Sequence, residues 1–148
     1  MKKYLIGAGI LLSGFCASAQ VLTPVKWAYA AKKINNNEAV VLVKATIDKG
    51  WHIYSQNVAD GGPAKTALVF NKSDDYTLVN KTIEPQPLKK YEKAFDMNVT
   101  YFENTVVFQQ KVKLVKDKPV IKGTILFMAC SNKECLPPED VEFSVALK

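Results

Sequence analysis

The feature that most limits what this chain can become is a two-residue hydrophobic rhythm repeated along its length. Val41, Val43, Ala45 and Ile47 alternate with Leu42, Lys44, Thr46 and Asp48. Val106, Phe108, Gln110, Val112 and Leu114 alternate with Val107, Gln109, Lys111 and Lys113, and Val141, Phe143, Val145 and Leu147 with Glu142, Ser144 and Ala146. A period of two places every second side chain on the same face of a strand, so these segments are strands with one face buried and the other in water. Residues 66–70, 76–84 and 120–129 are rich in β-branched and aromatic side chains and read the same way. Turn chemistry separates them at Asp48-Lys49-Gly50, at Gly61-Gly62-Pro63, and around residues 72–75 and 116–119. Short strands at this spacing predict an all-β chain folded as an antiparallel β-sandwich. Residues 27–33 fit either a turn or two of helix or an edge strand. Residues 84–98, E-P-Q-P-L-K-K-Y-E-K-A-F-D-M-N, open on two prolines and keep no alternation. They are expected to form a long loop, and Tyr91, Phe95 and Met97 within it imply that it packs on something.

The start of the chain is a leader by pattern. Lys2 and Lys3 precede an apolar run from Leu5 to Phe15, too short to span a bilayer comfortably, and Ala17-Ser18-Ala19 supplies a small-x-small cleavage site. Residues 1–19 are therefore expected to be a cleavable signal peptide and residues 20–148 the exported domain. Anchoring through Cys16 as a lipoprotein is disfavoured, because bulky Phe15 stands where a small residue is needed. Export places the domain where disulfides persist. Losing Lys2 and Lys3 takes the formal charge from +6 to +4. Every basic residue is lysine, and without the planar arginine fork nucleic acid is a poor partner. The lysines are scattered along the chain, which reads as a solvated surface.

Two cysteines remain after the leader, in F-M-A-C-S-N-K-E-C-L-P-P-E-D, residues 127–140. An even count in an exported chain points to one bridge, Cys130 to Cys135. If the strands on either side pair as a hairpin, the two sulfurs fall near the base of its connection, within bridging distance. A loop of about six residues gives only roughly 2 kcal/mol in the chain-entropy picture, against nearly 5 for a hundred-residue loop. As a staple the pair is poorly placed. A staple and a redox switch nevertheless both remain open on these residues. Zinc would need about four ligands, and the domain offers two thiols and His52. A thioredoxin-type site would need C-x-x-C at a helix start. No metal and no cofactor is called for. A second cluster, Gly50-Trp51-His52-Ile53-Tyr54-Ser55, reads first as strand and core. Trp51 and Tyr54 also leave open a sugar-binding sandwich, and an immunoglobulin-like binding or adaptor module with a structural bridge is the other alternative.

Taken in order, W-H-I-Y after a glycine turn, a Gly-Pro segment, a long aromatic loop, Y-F-E-N-T-V-V-F and finally A-C-S-N-K-E-C-L-P-P before a last strand resemble the N-terminal periplasmic domain of the DsbD thiol:disulfide interchange protein. The resemblance runs from about Val25 to Leu147. It implies an immunoglobulin-like fold whose cysteines cycle between dithiol and disulfide, taking electrons from a membrane thiol carrier and passing them to periplasmic thioredoxin-like proteins, as a periplasmic monomer. Carried over, Cys135 is the attacking thiol and Cys130 resolves the mixed disulfide. Phe95 takes the place of the phenylalanine that caps the pair, with Tyr91 as the alternative, and His52 and Tyr54 take the aromatic positions beside it. Two acidic residues precede the cap in the family, where this chain has Lys93 and Ala94.

Overall fold

The structure is a computed structural model that describes residues 20–148. The expected leader, residues 1–19, lies outside the described residues. Among the described residues every regular element is a strand and every pairing is antiparallel. The first sheet contains β1 (Val25–Lys33), β2 (Glu38–Ile47), β8 (Thr105–Leu114) and β5 (Tyr76–Ile83), in the order β1-β2-β8-β5. The second contains β10 (Ala129–Ser131), β3 (Trp51–Tyr54), β7 (Met97–Phe102) and β6 (Leu88–Glu92), in the order β10-β3-β7-β6. The third is β11 (Glu139–Ala146), β9 (Val120–Phe127) and β4 (Ala67–Phe70), in the order β11-β9-β4.

The alternating residues do what their spacing predicts. Val41, Val43, Ala45 and Ile47 of β2 and Val106, Phe108 and Val112 of β8 turn inward against Ile121 and Ile125 of β9 and Phe143 of β11. Fully burying one such side chain contributes roughly 1.5–3 kcal/mol. Gln110, an inward position on β8, is buried too, and its amide is satisfied: Nε2 donates to the carbonyls of Val79, Asn80 and Lys111, while Oε1 accepts from Thr82. These bonds hold the irregular stretch of β5 between Val79 and Ile83.

Of the two readings open for residues 27–33, the edge strand is the one observed: they belong to β1, at the edge of the first sheet. Residues 84–98 are not a long loop: β6 and β7 form a hairpin whose turn is residues 93–96. The alternation on β6 is hidden because the side chains facing its sheet neighbours are Lys90 and Glu92, opposite Val99 and Met97. A charged inward face erases the apolar signal on which strand recognition depends. The strand expected over 120–129 is also divided. β9 pairs with β11 as a hairpin, Phe127 opposite Glu139, but after Met128 the chain crosses into the second sheet as β10. The cysteines thus lie within the β9–β11 connection and on a different sheet from the strands it joins.

Candidate active site

The second sheet has two differently occupied faces, and alternation decides which residue goes where. Ile53, Phe102 and Ala129 point one way and join the sandwich core, with Trp51 packed against it. Cys130, His52, Tyr54, Tyr101 and Val99 lie on the other face. Register fixes their order: Cys135 bridges to Cys130, Cys130 pairs with His52, and one step along the sheet Tyr54 pairs with Tyr101. Directly paired residues hold their Cβ atoms about 4.5–5.5 Å apart. His52 is therefore the immediate cross-strand neighbour of Cys130.

Cys130 and Cys135 are joined, with an S–S distance of 2.09 Å. Their environments differ. Cys130 is 1% exposed and packs in a small cluster with Tyr54, Val58 and Val99, flanked by Met97, Tyr101 and Met128. Cys135 is exposed. The turn between them is built by Ser131, whose Oγ accepts from the amides of Lys133 and Glu134 at 3.2 Å each, and whose own amide donates to the Glu134 carbonyl at 2.7 Å. Leu136 N donates to Ala129 O at 2.9 Å and returns the chain to the bridge.

Around this cluster lies a polar group in which the sequence pointed to His52 and Tyr54 but not to Lys90 and Glu92. Lys90 Nζ is 3.1 Å from His52 Nε2 and 3.0 Å from Glu92 Oε2. It also sits 4.9 Å from the centre of the Tyr101 ring, a cation–π contact. Tyr54 Oη donates to Glu92 Oε2 at 3.3 Å and lies 3.2 Å from His52 Nε2. An ammonium only donates, so Nε2 is the acceptor and the imidazole proton is assigned to Nδ1. Burial, then the Lys90 charge, depress the His52 pKa from 6.5 to about 4, and Glu92 opposes them only in part. His52 is neutral near pH 7. Burial, reinforced by Glu92, raises the Tyr54 hydroxyl above its ordinary range. Burial alone would raise the Glu92 carboxyl, but the hydrogen bond and charge of Lys90, with smaller help from His52 and Tyr54, hold it below the usual carboxylate value.

The residues expected to cap the pair fall differently. Tyr91 is 55% exposed on the face of β6 away from the site, and its hydroxyl bonds Asp96 across the hairpin turn. Phe95 is half-buried in that turn, outside the cluster around Cys130. The cover over Cys130 is instead made of Met97, Met128 and Val58, the last from the segment between β3 and β4. That segment is tied down at both ends. Thr66 Oγ1 donates to Tyr54 O at 2.6 Å, and Glu84 accepts from the Ser55 hydroxyl, the Gln56 amide at 2.9 Å and the Asn57 side chain at 3.0 Å. Gly62 lets it approach: a Cβ there would stand 2.9 Å from Met97 Sδ and 3.0 Å from Val58 Cγ1. Tyr54 is fully buried and offers no stacking platform for a sugar, and Trp51 is half-buried against the main core.

The family model for the N-terminal region of thiol:disulfide interchange protein DsbD matches residues 18–147. The N-terminal periplasmic domain of ScsB from Proteus mirabilis superposes with a TM-score of 0.61 at 19% identity, over 84% of this chain and 48% of that one. The DsbD N-terminal domain of Neisseria meningitidis in its reduced form gives 0.52 at 18% identity, over 80% and 83%. The complex between the DsbD and PilB N-terminal domains of Neisseria meningitidis gives 0.55 at 18% identity, over 85% and 88%. The chain spans about half the length of the ScsB chain. At these identities the likeness is one of fold, an immunoglobulin-like antiparallel β-sandwich. No curated protein matches the chain.

Proposed function

The chain belongs to the family of N-terminal DsbD thiol:disulfide interchange domains, and on that premise we propose that it exchanges electrons through the Cys130–Cys135 pair, exported to the periplasm by residues 1–19. The observation that carries this reading is the unequal burial of the two sulfurs. Exchange proceeds by attack of a thiolate on one sulfur and departure of the other. Only Cys135 is exposed to an incoming thiolate, and Cys130 is sheltered.

In the reducing direction, a donor thiolate attacks Cys135 Sγ. The Cys130–Cys135 bond breaks, a mixed disulfide forms, and Cys130 leaves as a thiolate that takes up a proton. The donor's second thiol then attacks its own sulfur in the mixed disulfide and releases Cys135, which completes a two-electron reduction. To hand the electrons on, Cys135 attacks the acceptor's disulfide, and Cys130 closes the bridge again and frees the reduced acceptor. His52, the cross-strand neighbour of Cys130 with its proton on Nδ1, is the neutral titratable side chain next in register to the sulfur that leaves. Lys90 fixes its tautomer and, with burial, keeps the ring neutral against the opposing pull of Glu92. Glu92 supplies the carboxylate that Lys93 and Ala94 do not. The donor is a membrane thiol carrier and the acceptors are thioredoxin-like proteins. The solved complex of a DsbD N-terminal domain with a PilB domain supports docking by a second protein domain.

The test is a trapping experiment. A Cys130→Ala variant is expected to accumulate a mixed disulfide with a thioredoxin-like partner through Cys135, and Cys135→Ala is expected to accumulate none. A reduction potential far below about −300 mV, together with no trapped species, would mark the bridge as purely structural.

A further inference from the structure

Lysines far apart in the sequence gather on one surface of the fold. Lys26, Lys32, Lys44, Lys111 and Lys113 all occupy outward positions of β1, β2 and β8 in the first sheet. Between them, register brings Ala28, Ala30, Val40, Leu42 and Val107 side by side. Ile83 of β5, 63% exposed, extends this apolar strip beside Gln109. Glu38 is the acidic residue among the outward positions of the three strands, and it pairs with Lys111 at 2.8 Å. Lys26, Lys32, Lys44 and Lys113 form no ion pair among the described residues. Five lysines less one glutamate leave +4 on a single sheet face.

We propose that this face docks on an anionic lipid bilayer. The chemistry selects that occupant over a protein. Protein interfaces concentrate their energy in tryptophan, tyrosine and arginine and are depleted of lysine. The three strands put no aromatic side chain on this face, and the chain has no arginine. Lysine is a compact point charge on a flexible stem, without a directional fork. It matches a fluid layer of phosphates better than a shaped acidic pocket. The stems can lie along the apolar strip while the ammonium groups reach the headgroups. Each lysine near such a surface multiplies partition by about fivefold, and salt weakens the effect.

The experiment is co-sedimentation of the full chain with vesicles of phosphatidylcholine mixed with phosphatidylglycerol, and with phosphatidylcholine alone, at low and high salt. Wild type is expected to bind the mixed vesicles and to be released by salt. The triple variant Lys26→Glu, Lys32→Glu, Lys44→Glu should lose at least on the order of a hundredfold in partition, three fivefold steps for the lost lysines with the repulsion of the new carboxylates on top. A triple change of equal charge at Lys65, Lys72 and Lys122, around β4 and β9, should lose far less. Equal losses for the two triples would assign the effect to net charge and overturn the proposal. Equal binding to both lipids would overturn it by assigning association to apolar segments such as residues 5–15. Capture of soluble polyglutamate without vesicle binding would make the face a protein-docking surface and overturn it too. Matched melting curves establish that the variants fold. Should the triple fail to fold, Lys44→Glu alone and the salt titration of wild type decide the matter.

Discussion

Two clusters of buried side chains sit on opposite faces of the second sheet, and they are built on different principles. The larger fills the sandwich with valine, isoleucine and phenylalanine, and its one buried amide, Gln110, is fully bonded. The smaller surrounds Cys130 with Tyr54, Val58 and Val99, and beside it lie His52, Lys90 and Glu92. The first derives its free energy from area removed from water. The second devotes much of its interior to groups that hold protons. Stability and chemistry are thus divided across one layer of β-structure, whose alternation sends odd and even residues to different tasks.

Four changes would break or sharpen this division. The largest effect belongs to the sandwich. Phe108→Ala should destabilise the fold by about 3–5 kcal/mol in denaturant unfolding. The exchange rate of the molecules still folded should not change, and a change would mean that the clusters are coupled. Next is acid. Folded His52 protonates near pH 4, against 6.5 for an ordinary histidine. Between those values the unfolded chain binds more protons. Stability present above pH 6.5 should therefore be lost as pH falls from 6.5 toward 4, by on the order of 3 kcal/mol. The chain has one histidine, so an NMR titration reads it directly. Lys90→Met should move the midpoint upward and shrink the loss, and an unmoved midpoint would remove Lys90 from the site's electrostatics. Third, reducing the bridge should cost about 2 kcal/mol, as expected for a loop this short. A much larger loss in unfolding experiments would make the small cluster a structural centre after all. The smallest effect concerns access. In the reduced protein, Met97→Ala should speed alkylation of Cys130 several-fold, and Phe95→Ala should speed it less. The reverse order would return the capping role to Phe95.

The same contrast explains what could be read in advance. The sandwich was legible because its code is simple: β2, β8 and β11 write their inward faces as every second residue. Cys130 and Cys135 were legible because, with the expected leader set aside, two cysteines have few partners to choose from. Lys90 and Glu92 were not. Their meaning depends on a ring thirty-eight residues away, and a charged pair on a β-strand imitates the composition of a loop. Met97 and Val58 beside Cys130 were hidden for a related reason. Both come from segments that meet only after β3, β6 and β7 have paired. The lysine face escaped notice because its members are spread over three strands, where each looks like ordinary solvation.

The tight approach at Gly62 bears on kinetics. A methyl group at residue 62 would crowd Met97, Val58 and the Ala59 carbonyl. The side chains over Cys130 would have to shift to make room, so Gly62→Ala should loosen the shelter of the buried sulfur and quicken its reaction with small oxidants.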